Sequence, residues 1–141
     1  MKQPLNGSKE NMVNVKKKLI NTFDIDGVIF MDGFDGVYPG PDDIIITGRS
    51  FQEEIETLAM LESKGINNKI FMNPRHFSKK TRESSGKHKA NIISKLKSRY
   101  RIGCHYEDDP IQAKEITDVH PDVHVILLVH DLVEKENMRH L

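Results

Sequence analysis

Five short apolar runs, set apart mostly by segments of helical periodicity, constrain this chain more than any other feature. They cover residues 18–25, 44–47, 69–72, 102–106 and 123–129, and each fits a strand buried on both faces. Between the second and third runs, Ser50 and Glu53 have capping-box spacing. Phe51, Ile55, Leu58 and Ala59 then trace one helical face, and Gly65 supplies a stop. Residues 89–98 continue the pattern with Ile92, Ile93 and Leu96. Asp109 before Pro110 reads as an N-cap with proline at the first helical position, and Ile111 and Ile116 would face inward. Strands alternating with helices predict an α/β chain with a parallel sheet and right-handed crossovers. Residues 28–43 are the exception. Asp32-Gly33, Asp35-Gly36 and Pro39-Gly40-Pro41 signal turns there, and a small hairpin flap over the sheet edge is expected.

A length of 141 residues suits one domain with a real core. The expected division is a flexible arm over 1–15 and a single domain over 16–141. Lys plus Arg and Asp plus Glu both number 21, so bulk charge favours neither a nucleic-acid nor a membrane partner. The longest aliphatic run, 125–129, is far too short to span a bilayer, and the polar N-terminus lacks the apolar segment of a secretory signal. A single cysteine, Cys104, cannot form an internal disulfide and fits a reducing compartment; the expectation is cytoplasmic.

Polar residues gather at the ends of these runs. The stretch FDIDGVIF carries Asp24 and Asp26, two positions that face one side of a strand while Ile25 faces the other. Two adjacent acids resist ionising together unless a cation lies between them. The second run ends in Thr47, Gly48 and Arg49, and the fourth in Glu107, Asp108 and Asp109. Open parallel sheets bind ligands beyond the carboxyl ends of their strands, so three segments would deliver hydroxyl, cation and carboxylate to one rim. These residue types suit phosphoryl transfer: a carboxylate attacks phosphorus, a second carboxyl handles protons, and Mg2+ neutralises the crowded acids.

DIDGV, ITGR, a lysine opening a helix and YEDDP, in that order, resemble the haloacid dehalogenase (HAD)-like superfamily of phosphohydrolases over residues 18–129. The resemblance implies a three-layer, doubly wound, Rossmann-like domain. It implies Asp24 as nucleophile and Asp26 as general acid and base, with the Asp26 backbone carbonyl, Asp24 and Asp108 holding Mg2+. Phosphate would be held by Thr47, Gly48 and a lysine, and Arg49 either grips a substrate phosphate through its planar fork or forms a surface ion pair. Lys89 is favoured over Lys87, as the residue in the first turn of its helix. Glu107 and Asp109 compete for a supporting role at the metal. The short gap from Gly27 to Thr47 implies a capless member, whose open site would admit large substrates.

The expected function is an Mg2+-dependent phosphomonoesterase acting through an aspartyl phosphate, on a nucleotide or a nucleic-acid terminal phosphate. That substrate rests on Arg49, the open rim and the basic run over 78–89, read as a flexible loop that is either a phosphate contact or simply solvated. Alternatives are a phosphatase of another small-molecule or protein phosphoester, and a receiver-like phospho-accepting module. The latter needs a carboxylate after the third strand, where Asn73-Pro74 stands. Lys16, Lys17 and Lys18 read as solvated edge protection. His120 and His124 read as surface residues, and the histidines form no zinc spacing with Cys104.

Overall fold

The computed structural model describes residues 16–135; the expected arm over 1–15 lies outside the described residues. The chain runs β1 (Lys18–Phe23), β2 (Ile44–Ser50), a 3-10 turn (Phe51–Glu53), α1 (Glu54–Ser63), β3 (Ile70–Asn73), α2 (Arg82–Leu96), β4 (Tyr100–Glu107), α3 (Pro110–Val119) and β5 (His124–Leu127). The five strands form one all-parallel sheet in the order β3-β2-β1-β4-β5. β1 is therefore central, and the Lys16–Lys18 triplet does not guard an edge. Lys17 donates to the Lys97 carbonyl at 3.0 Å instead, and Lys18 pairs with Asp42 at 2.8 Å.

Strand alternation divides the core between the two faces of the sheet. Ile20, Ile44 and Ile46 pack with Ala90, Ile93 and Leu96 of α2 and Ile116 of α3. Phe23, Ile25 and Ile45 pack on the other face with Leu61 of α1 and with Val28 and Ile29, from the turn that follows β1. Each large side chain here is nearly sealed from water, a contribution of about 1.5–3 kcal/mol apiece.

Several expected features come out differently. Helix α1 buries Thr57 and Leu61, while Ile55 is 86% and Phe51 52% exposed, so the periodic face read from the sequence points outward. The cause is polar: Arg49 Nη1 donates to Thr57 Oγ1 at 3.1 Å and anchors that side of the helix. Residues 28–43 form no paired flap strands; Phe30 makes single bridges to Asp26 and Asp35 among turns. The run over 78–89 is not a loop. Thr81 and Ser84 cap each other, Ser84 N to Thr81 Oγ1 at 3.1 Å and Thr81 N to Ser84 Oγ at 2.8 Å, and α2 starts at Arg82. Lys89 thus sits in the middle of α2 rather than its first turn. His120, at the end of α3, is buried, with Nε2 2.8 Å from the Ala90 carbonyl and 3.0 Å from Ser94 Oγ. Among the described residues, no helix is long and apolar enough to cross a membrane.

Candidate active site

The carboxyl ends of β1, β2 and β4 meet at one rim. Asp24 follows β1 directly, and its backbone N–H continues the ladder to the Tyr106 carbonyl at 3.1 Å. The chain then doubles back: Gly27 has a φ of +83°, a conformation that favours glycine. A β-carbon at that position would collide with the Asp108 carboxylate. Gly27 therefore lets the ends of β1 and β4 close on one another, bringing carboxylate oxygens of Asp24, Glu107 and Asp108 within 4.8 Å.

Lys89 reaches this cluster from α2 and is wholly buried. Its Nζ lies 3.0 Å from Asp24 Oδ1 and 2.8 Å from Glu107 Oε1. Lys87, by contrast, is exposed and faces Glu115 at 3.8 Å. Beneath the ion pair, His105 Nε2 stands 3.1 Å from Glu107 Oε1, and its Nδ1 2.7 Å from Thr22 Oγ1. Burial, with Lys89 nearby, pushes the His105 pKa down to about 3, so the ring is neutral. A neutral ring that accepts the Thr22 hydroxyl proton at Nδ1 donates its own N–H to Glu107.

One cation is too few for this crowd. Burial and the Glu107 charge push the Asp24 pKa well above the carboxylate range, against the pull of Lys89. Burial raises Glu107 as well, with Lys89 opposing. Burial and the Asp24 charge lift Asp108 to about 6. Asp24 thus tends to hold a proton in the metal-free protein. A divalent cation held by Asp24 and Asp108 would offset the same surplus of negative charge. The hard oxygen donors suit Mg2+, and the shortage of positive charge fits such an ion.

Asp26 lines the same cavity as Asp24, Gly48, Lys89 and Asp108. Its carboxylate is held by the Arg49 fork, Nε to Oδ2 at 2.9 Å and Nη2 to Oδ1 at 2.8 Å. Thr47 is buried behind Gly48 and does not line the cavity; its Oγ1 accepts the Arg49 backbone N–H at 3.0 Å. Asp109 also lines the cavity, but its carboxylate is engaged by other partners. It caps α3 through the Ile111 N–H at 2.9 Å and takes a two-pronged contact from Arg82, at 2.7 and 2.9 Å. Burial opposes ionisation of Asp109, but Arg82 and these N–H groups outweigh it and hold its pKa below the ordinary value. Of the two acids competing for a supporting place, Glu107 joins the cluster and Asp109 is structural.

Three contributors escaped the sequence reading. Thr22 and His105 lie two residues before Asp24 and Glu107, on the same faces of β1 and β4, so strand alternation was a usable signal. The third is the segment after β5. Leu128 N bonds to the Glu107 carbonyl at 2.8 Å and His130 Nε2 donates to the Gly27 carbonyl at 2.7 Å. Lys135 Nζ then contacts Asp108 Oδ2 at 2.7 Å and the Asp108 carbonyl at 2.9 Å. Residues 128–135 form a strap across the rim, and the cavity left beneath it is ≈ 20 Å³, room for about one water. No protein-family model matches this sequence, and no match was found among curated proteins.

Proposed function

We propose that this protein is an Mg2+-dependent phosphomonoesterase that works through an aspartyl phosphate on Asp24, as the HAD-like resemblance implies. The observation that carries the reading is the buried bridge from Lys89 to both Asp24 and Glu107, with Asp108 in the same cluster. A Lys–carboxylate pair alone would be a structural ion pair. This one has a surplus of acids, opens to a cavity and stands at the carboxyl edge of a parallel sheet.

In the first step, an Asp24 oxygen attacks phosphorus. The ester P–O bond breaks, and the leaving oxygen takes a proton from Asp26. In the second, Asp26 removes a proton from water, which attacks the phosphorus of the acyl phosphate and releases inorganic phosphate and the Asp24 carboxylate. Lys89 aligns Asp24 and offsets charge on the phosphoryl oxygens, and the Gly48 backbone at the cavity wall supplies a donor, while Thr47 supports it from behind by holding the Arg49 backbone N–H. Mg2+ held by Asp24, Asp108 and the Asp26 carbonyl would polarise the phosphoryl group. Arg49 keeps Asp26 in place through its two-pronged contact. A phosphoryl group does not fit the ≈ 20 Å³ beneath the strap, so residues 128–135 must lift as substrate binds, and Asp26 must loosen from the Arg49 fork to serve as the acid.

Asn73, buried at the end of β3 and bonded to the Gly48 carbonyl and Ser85 Oγ at 3.3 Å each, stands where a receiver domain needs its acceptor acid, which favours the phosphatase reading over that alternative. The test is hydrolysis of p-nitrophenyl phosphate with Mg2+ or EDTA. Turnover should need the metal, and Asp24→Asn should lower kcat by about 10³-fold or more. Equal turnover with EDTA, or by the variant, would exclude this mechanism.

A further inference from the structure

The expected nucleic-acid substrate rested on cations near the rim; most of these are engaged, and the exposed Lys79 and Lys87 line neither the cavity at Asp24 nor the groove beside it. Lys80 is buried against Glu53 at 3.1 Å and the Gly48 carbonyl at 3.0 Å, Arg82 grips Asp109, Lys89 lies in the core, and Arg49 holds Asp26. Beside the catalytic cavity runs a wider groove of ≈ 540 Å³, and Asp26 and Glu134 line both spaces. A phosphoryl group seated at Asp24 would direct its leaving group past Asp26 into this groove.

The groove has three walls. The strap contributes Leu132, Val133 and Glu134; the turn after β1 gives Phe30 and Asp32; and Arg49, Glu53 and Glu56 come from β2 and the start of α1. Arg49 is its single cation, against five carboxylates. Arg49 neutralises Asp26 and Lys80 neutralises Glu53. Asp32, Glu56 and Glu134 are exposed, and no ion pair offsets them among the described residues. Three uncompensated carboxylates repel a second phosphate or a nucleic-acid chain, while Phe30, Leu132 and Val133 offer apolar contact and an aromatic ring suited to a cation.

We propose that the substrate is the phosphomonoester of a small alcohol bearing a positive charge and an apolar body, bound with that alcohol in the groove between the strap and α1. This rests on the phosphatase reading above. It makes the strap the wall that selects the leaving group.

The experiment measures kcat/KM of the full chain with Mg2+ at low ionic strength on three esters: phosphocholine, p-nitrophenyl phosphate and a 5′-phosphorylated dinucleotide. Each rate is also measured on the double variant Asp32→Lys, Glu56→Lys, whose fold is checked by circular dichroism. The ratio of phosphocholine to dinucleotide should fall about tenfold in the variant, and in the wild type it should shrink as salt screens the groove. The aryl ester separates the two readings. If the wild type hydrolyses it in an Asp24-dependent way but the ratio is unmoved by charge reversal or by salt, the groove assignment is overturned and the phosphatase stands. If none of the three esters is hydrolysed, both are overturned.

Discussion

At the scale of single residues, the site trades stability for charge density. In the metal-free protein Asp108 ionises near pH 6 in the folded chain, against 3.8 for an unperturbed carboxyl. The folded state keeps a proton that the unfolded chain has already released, so this group's contribution to stability declines as pH rises from about 4 to about 6. Asp108→Asn abolishes that titration. In EDTA at about pH 7.5 the variant should exceed the wild type in urea-unfolding stability by about 1–2 kcal/mol, and the two should converge below about pH 4. A wild type more stable than the variant at the higher pH would refute the account. Saturating Mg2+ should favour the wild type, because binding to the native state alone adds stability.

The secondary-structure elements show what could and could not be read in advance. The strands were legible because an apolar run flanked by turn residues has few alternatives, and so was the meeting of Asp24, Asp26 and Asp108 at one rim, which follows from the parallel sheet; Lys89 was chosen for a place in the first turn of its helix, whereas it reaches the rim from the middle of α2. Helical detail was not. The reading of 78–89 as a loop followed its lysines and serines, yet Thr81 and Ser84 form a reciprocal cap that starts α2 there. The face of α1 was misjudged because an apolar period was weighed above Thr57, whose partner Arg49 belongs to the preceding strand β2 and lies outside the helical repeat. Gly86 gives a test at this scale. A β-carbon there would stand 2.8 Å from Glu115 Cβ and 2.9 Å from the Gln112 Cα, so α2 and α3 touch through a missing side chain. An exposed helical glycine gains about 1 kcal/mol on replacement by alanine. Here the crowding should win, and Gly86→Ala should lower unfolding stability by about 1–2 kcal/mol in denaturant titration. A gain would mean that the two helices separate without penalty.

For the whole molecule, the strap is the element that no local pattern disclosed. Its contacts join residues on opposite sides of the chain, His130 with Gly27 and Lys135 with Asp108, and sequence periodicity carries no information about such partners. Lys135 sets its ammonium against the acid that would hold the metal, so the two cations compete for Asp108. Lys135→Ala should tighten Mg2+ binding about three- to tenfold in calorimetric titration, since one like charge is removed from the site. Weaker binding in the variant would show that the lysine supports the metal instead of opposing it.

The central position of β1 bears on how the protein comes into being. In chain order the acids of FDIDGVIF precede Lys89 and β4, which enclose them, by about sixty residues or more. Until those later segments dock, Asp24 and Asp26 are ordinary hydrated carboxylates with nothing to hold. The cluster is thus built only from contacts of high sequence separation, and it can exist only once β4 and α2 have packed against β1.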